Sequence, residues 1–261
     1  MMDVSATGVQ PFFLPAQGGQ RYCLYHPPAP ARRPRGAIVY LHPFAEELNK
    51  SRRMAALQAR AFAAAGYGVL QIDLHGCGDS SGDFADARWP QWRSDAAQAC
   101  DWLRARELGP ISLWGLRLGA LLALDASAGN DVEALFLWQP IISGRQHLRQ
   151  FLRTGHAARM LADSAPDADD EVAGYRVAPE LAHAIDALDA GHFRPGCPVH
   201  WFERTAADGE LSPASARHLA AWHAAGVTLQ VHPVRGAAFW AGTDIVDCPA
   251  LLAATAAVFP P

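Results

Sequence analysis

The residues of this 261-residue chain that could do chemistry are few and unevenly placed. Lys50 is the single lysine, so Schiff-base chemistry or a lysine-bearing phosphate loop has no other candidate, and neither motif surrounds it. The glycine-rich string Asp73-Leu-His-Gly-Cys-Gly-Asp-Ser80 is more informative. Cys77 is its strongest intrinsic nucleophile, and His42 and His75 are expected at the ends of neighbouring strands, so a thiolate with a histidine base is one reading. A small residue in a tight loop is the other. His42, His75 and Asp79 could surround a metal but lack a recognisable ligand spacing, so no metal and no cofactor is expected. Cys23, Cys77, Cys100, Cys197 and Cys248 are odd in number and contain no C-x-x-C pair, which indicates neither a disulfide framework nor a zinc site.

The elements that must position these groups follow from hydrophobic pattern. Short apolar runs recur at Arg21–His26, Ala37–Leu41, Gly68–Ile72, Ile111–Trp114, Ala134–Trp138, Val199–Phe202 and Thr228–Val234. Several are apolar on both faces, as parallel strands covered by helices must be. Between them Met54, Leu57 and Ala61 line one helix that stops at Gly66. Trp92, Ala96, Ala99 and Leu103 line a second, closed by Gly109-Pro110. Leu118–Ala126 is almost wholly apolar and predicts a buried helix. Ser212-Pro213 opens another that ends at Gly226. The last runs from Asp247-Cys248-Pro249 to about Val258. This β-α-β order predicts a single α/β domain with a doubly wound, mostly parallel sheet. Ser143–Pro195 has no strand signal and predicts a helical cap or lid over the carboxyl ends of the strands, with a solvated acidic patch at Asp163–Glu171.

Half of the residues are hydrophobic, 18% are charged, and the net charge is −4. Those values exclude a disordered chain and leave no electrostatic footprint for nucleic acid or an anionic membrane. Met1–Gly19 lacks the basic and apolar regions of a signal peptide, and no apolar run is long enough to span a bilayer. A cytoplasmic, reduced protein is expected. Arginine almost everywhere in place of lysine reads as a GC-rich genome.

The order of motifs resembles the α/β-hydrolase superfamily. His42-Pro-Phe44 follows a strand where that family carries an oxyanion turn. Asp73–Ser80 resembles its D-x-x-G-x-G-x-S loop, and Trp114-Gly-Leu-Arg-Leu-Gly119 stands where the nucleophile elbow G-x-S-x-G belongs. The strings L-H-P-F-A-E-E-L-N-K-S-R-R-M and W-G-L-R-L-G-A are similar to the group called exosortase A system-associated hydrolase 2. That resemblance implies neighbours in an envelope or exopolysaccharide pathway, the PEP-CTERM protein-sorting context, and no defined chemistry.

The departure from the family pattern is large. Arg117 holds the nucleophile position, and a guanidinium stays protonated and only donates. The loop that should carry the triad histidine reads Arg235-Gly-Ala-Ala-Phe-Trp240, and His232 lies several residues early, inside a strand. Glu203 and Asp208 are both available as the acid, with Glu210 just beyond. Gly78-Asp-Ser-Ser-Gly82 matches the elbow formally, which makes Ser80 a candidate nucleophile, but no helix starts there.

A residue at the elbow takes a positive φ, at a cost of about 1–3 kcal/mol, and projects into the pocket. Arg117 would there join the N–H groups around Leu118 and, since Pro43 has none, those of Phe44 or Ala45. With the turn after His42 and with Trp240, these form a candidate site for a small anionic or acyl ligand. The alternative pairs Arg117 internally with Glu46, Glu47, Asp79 or Asp208. Three functions stay open: a binding protein without serine chemistry, a hydrolase or acyltransferase acting on esters or thioesters through Cys77, Ser80 or an activated water, and an interaction protein that docks through its cap.

Overall fold

The computed structural model describes residues 8–30, 33–162, 171–172, 174–205, 209–242 and 244–259. Asp208 and nearly all of the acidic patch lie outside them. The elements follow in chain order: β1 (Gln10–Ala16), β2 (Gly19–His26), β3 (Gly36–Leu41), α1 (Glu46–Ala64), β4 (Tyr67–Ile72), α2 (Trp89–Arg104), β5 (Ile111–Leu116) and α3 (Leu118–Ser127). Then come β6 (Leu135–Trp138), α4 (Gly144–Ala162), β7 (Glu171–Val172), β8 (Tyr175–Arg176), α5 (Pro179–Ala187), β9 (Val199–Arg204), α6 (Pro213–Ala224), β10 (Leu229–Val234) and α7 (Pro249–Ala257).

Eight strands form one sheet in the order β1-β2-β4-β3-β5-β6-β9-β10. β1 and β2 are antiparallel to their neighbours, and every later pair in the sheet is parallel. All residues of β3, β5 and β6 are buried, as two-sided helical cover requires. Alternation in β3 divides the core: Ile38 and Tyr40 pack with Met54 and Phe62 of α1, whereas Val39 and Leu41 pack with α2 and α3.

Two local expectations need correction, and one strand adds to those read from sequence. β1 is an added edge strand whose Pro11 and Pro15 obscure it in sequence. α2 ends at Arg104 with Ala105 as its cap, so Gly109 belongs to the following turn. The insertion does contain strands, the short β7–β8 hairpin, beside α4 and α5. A bridge between Ser143 and Asp189 closes the insertion at its base. It rests on the body where Tyr175 donates to Glu46 (3.2 Å) and meets the Phe84 ring at 5.0 Å. No helix among the described residues is long and apolar enough to cross a membrane.

Candidate functional site

β3 and β5 are neighbours, yet α1 and α3, which follow them, leave on opposite faces of the sheet. The crevice at the carboxyl ends of two such strands is where doubly wound sheets bind ligands. Both helices start from the same backbone shape: Ala45 at φ 50°, ψ −129° and Arg117 at φ 56°, ψ −117°. Gln139, after β6, also has positive φ, so three of the four such non-glycine residues described cluster at this edge. The flanking glycines have a packing reason of their own. A side chain on Gly119 would strike the carbonyls of Leu41 and His42, and one on Gly115 would strike the backbone of Gly119.

Arg117 uses Nε and Nη2 to donate to Oε1 of Glu47, both at 3.1 Å, and its guanidinium lies 5.4 Å from the Trp240 ring centre. Nη1 has no acceptor among the described residues. Oε2 of Glu47 is buried without a partner. Burial raises the Glu47 pKa above the usual carboxylate range, and Arg117 only partly offsets it. Helix dipoles favour Glu47 in the first turn of α1 but oppose a cation at the start of α3. Local helix energetics therefore do not explain an arginine at position 117.

Two cavities meet at this pair. One, of about 580 Å³, is lined by Gln139, Gln146, Glu203, Arg204 and Ser212. The other, of about 350 Å³, is lined by Phe44, Glu47, Lys50, Phe151, Val172 and Trp240. Arg117, His147 and Gln150 line both. Volumes of this order suit small-molecule ligands.

Of the residues singled out in sequence, Arg117, Phe44 and Trp240 are thus brought together, and Glu203 lines the larger cavity. Glu203 is buried, with Oε2 accepting from Trp201 Nε1 (2.8 Å) and Oε1 from Ser212 N–H (3.3 Å). Ala45 and Leu118 line neither cavity but a slit of about 10 Å³, room for roughly one water. His42 also faces that slit and is fully engaged. Leu74 N–H donates to its Nε2 (3.2 Å), so Nδ1 carries the proton and donates to the Pro43 carbonyl (2.8 Å).

The two nucleophile candidates in the Asp73–Ser80 loop lack the surroundings that their chemistry needs. Cys77 is buried, and burial followed by Asp73 pushes its thiol far up, while His42 has no nitrogen left to act as base. Ser80 Oγ donates to the Asp73 carbonyl (2.6 Å) and accepts from Tyr22 N–H (2.8 Å), which makes it a staple between loop and β2. Asp73 itself accepts from both terminal nitrogens of Arg52 and from Asp79 N–H. His232 stacks on Phe202 (4.4 Å) at the sheet edge and lines neither cavity. Among the described residues no group of three or more histidine, cysteine, aspartate or glutamate side chains could hold a metal.

His147 is the residue that sequence reading missed. It comes from α4, is buried, and its Nε2 has no partner among the described residues. Burial and then Arg117 hold its pKa down at about 3. The spacing of His147 to Phe151 was the available signal, since residues four apart share a helix face.

Residues 22–242 match the X-Pro dipeptidyl-peptidase (S15 family) profile. The chain belongs to that family. The human protein ABHD12B is 32% identical over 128 residues, which is 47% of this chain and 33% of ABHD12B, so only a third of that relative's length is spanned. The ferulic acid complex of Est1E from Butyrivibrio proteoclasticus superposes with a TM-score of 0.69 at 15% identity, covering 95% of this chain and 96% of Est1E. XC6422 from Xanthomonas campestris, described as an α/β serine hydrolase without a lid, gives 0.62 at 15% identity over 99% and 94%. At such identities these two show the fold, which is that of the α/β-hydrolases. In this S15-family chain Arg117 occupies the sharp turn between β5 and α3.

Proposed function

We propose that this chain is an α/β-hydrolase-fold binding protein that takes a small acyl or anionic ligand at the Arg117 cleft and does not use serine-hydrolase chemistry. The observation that carries this reading is Arg117 itself. Its guanidinium sits in a strained elbow between two cavities, held by one oxygen of Glu47, with Nη1 left for a ligand. The peptidase activity in the family's description needs a nucleophile within reach of a base. Position 117 supplies only donors, and residues 235–240 contain no histidine. Phe44, Phe151 and Trp240 offer apolar contact for an acyl chain or ring. Est1E, of the same fold, is described with an aromatic carboxylate bound, which makes such acids natural first probes. The resemblance to the exosortase-associated group supports a carrier or sensor role in an envelope or exopolysaccharide pathway.

Treatment with a fluorophosphonate probe and a panel of p-nitrophenyl esters tests this reading. An unlabelled protein without turnover is expected, together with thermal stabilisation by octanoate or ferulate that Arg117→Ala abolishes. Labelling of a serine, with turnover lost in Ser80→Ala, would overturn it.

A further inference from the structure

His147 has no structural task that accounts for it. A buried imidazole normally finds partners for its ring nitrogens, because leaving them unpaired is costly. Here Nε2 has none among the described residues, although the ring packs edge-on to Phe44 (5.8 Å) and so is held in a defined orientation. The same residue lines both cavities, as Arg117 does. A ligand seated on Arg117 therefore shares its cavities with this ring.

We infer that His147 is a ligand-binding residue supplied by the cap, and that the ligand carries a hydroxyl group close to the carboxylate held by Arg117. The ligand class is then a hydroxy acid rather than a plain acyl chain. This rests on the reading of Arg117 as the anchor. The chemistry follows from charge: the ring is held neutral by burial and by the adjacent guanidinium, so it has no charge to offer a second anion. A neutral imidazole nitrogen donates or accepts according to its tautomer, and a hydroxyl, which can both donate and accept, satisfies it in either. The Arg117 guanidinium takes the carboxylate, and the two groups discriminate together.

The test is calorimetric titration of octanoate, 2-hydroxyoctanoate and 3-hydroxyoctanoate into wild type, His147→Phe, His147→Gln and Arg117→Ala. Wild type should bind one hydroxy acid about 3- to 10-fold tighter than octanoate. His147→Phe, which keeps a ring against Phe44 and removes the unpaired nitrogen, should lose the preference, read as the ratio of hydroxy-acid to octanoate affinity within that variant. His147→Gln should restore part of it. If His147→Phe does not fold, His147→Leu carries the same comparison. A preference that survives in the apolar variant overturns the assignment, as does equal wild-type affinity for all three acids. In that last case loss of all binding in Arg117→Ala leaves the anion site standing. If wild type binds none of the acids, the Arg117 reading fails and the assignment of His147 with it.

Discussion

Two polar clusters at the carboxyl edge of the sheet are built to opposite rules. In the Asp73–Ser80 loop nearly every polar side chain is spoken for: Asp73 by Arg52 and Asp79 N–H, Ser80 by Asp73 and Tyr22, with His42 beside it bound at both nitrogens. His75 Nδ1 is the exception. In the Arg117 cleft the groups are as well enclosed but underpaired: Glu47 Oε2 and His147 Nε2 have no partners, and Arg117 Nη1 no acceptor, among the described residues. Saturated polar groups hold a scaffold together, whereas buried unsatisfied ones are costly and need another reason to persist. Sequence chemistry points first to the loop with cysteine, serine and histidine. The pairing of atoms points to the cleft with arginine.

The contrast can be broken most forcefully on the scaffold side. Arg21 and Asp95 form an ion pair at 2.8 Å with both side chains fully buried, and Asp95 also accepts from His75 N–H. Asp95→Ala should cost about 3–5 kcal/mol in urea unfolding, because it strands a buried charge. Arg117→Ala should cost less, about 2–3 kcal/mol near pH 8, since the pair with Glu47 is partly accessible. This loss depends on pH. The folded-state pKa of Glu47 is raised, so the unfolded chain ionises first and stability falls as pH climbs through the interval up to the folded value. Without Arg117 that interval widens, so the variant's deficit should shrink towards pH 5, as chemical denaturation at several pH values will show. Ser80→Ala removes a staple and leaves Tyr22 N–H unpaired, which should cost about 1–2 kcal/mol and leave ligand affinity unchanged. The smallest effect is expected from Arg117→Ser: no p-nitrophenyl ester turnover above wild type, because no histidine stands in 235–240 to activate it.

Much of the fold was legible because packing and chemistry constrain the same motif separately. Gly115 and Gly119 are required where α3 presses on the strand ends, so packing fixes the glycines of the motif whatever residue stands at 117 between them. Strands buried on both faces announced themselves in the same way. The cap was legible only as an interruption, since α4 is rich in arginine and glutamine outside its Leu148 and Phe151 stripe, and nothing in sequence fixes its register on the body. His147 was lost for that reason. The partner of Arg117 was narrowed to four acids, and choosing Glu47 needed the adjacency of β3 and β5, which strand order supplies and local sequence does not.

Titration of octanoate into wild type and Arg117→Ala at pH 7, followed by calorimetry, tests the anchor most directly. Saturable binding by wild type and at least a roughly tenfold loss in the variant is expected for a hydrogen bond to a charged group. Equal binding by both proteins would contradict the assignment of Arg117 as the group that holds the ligand.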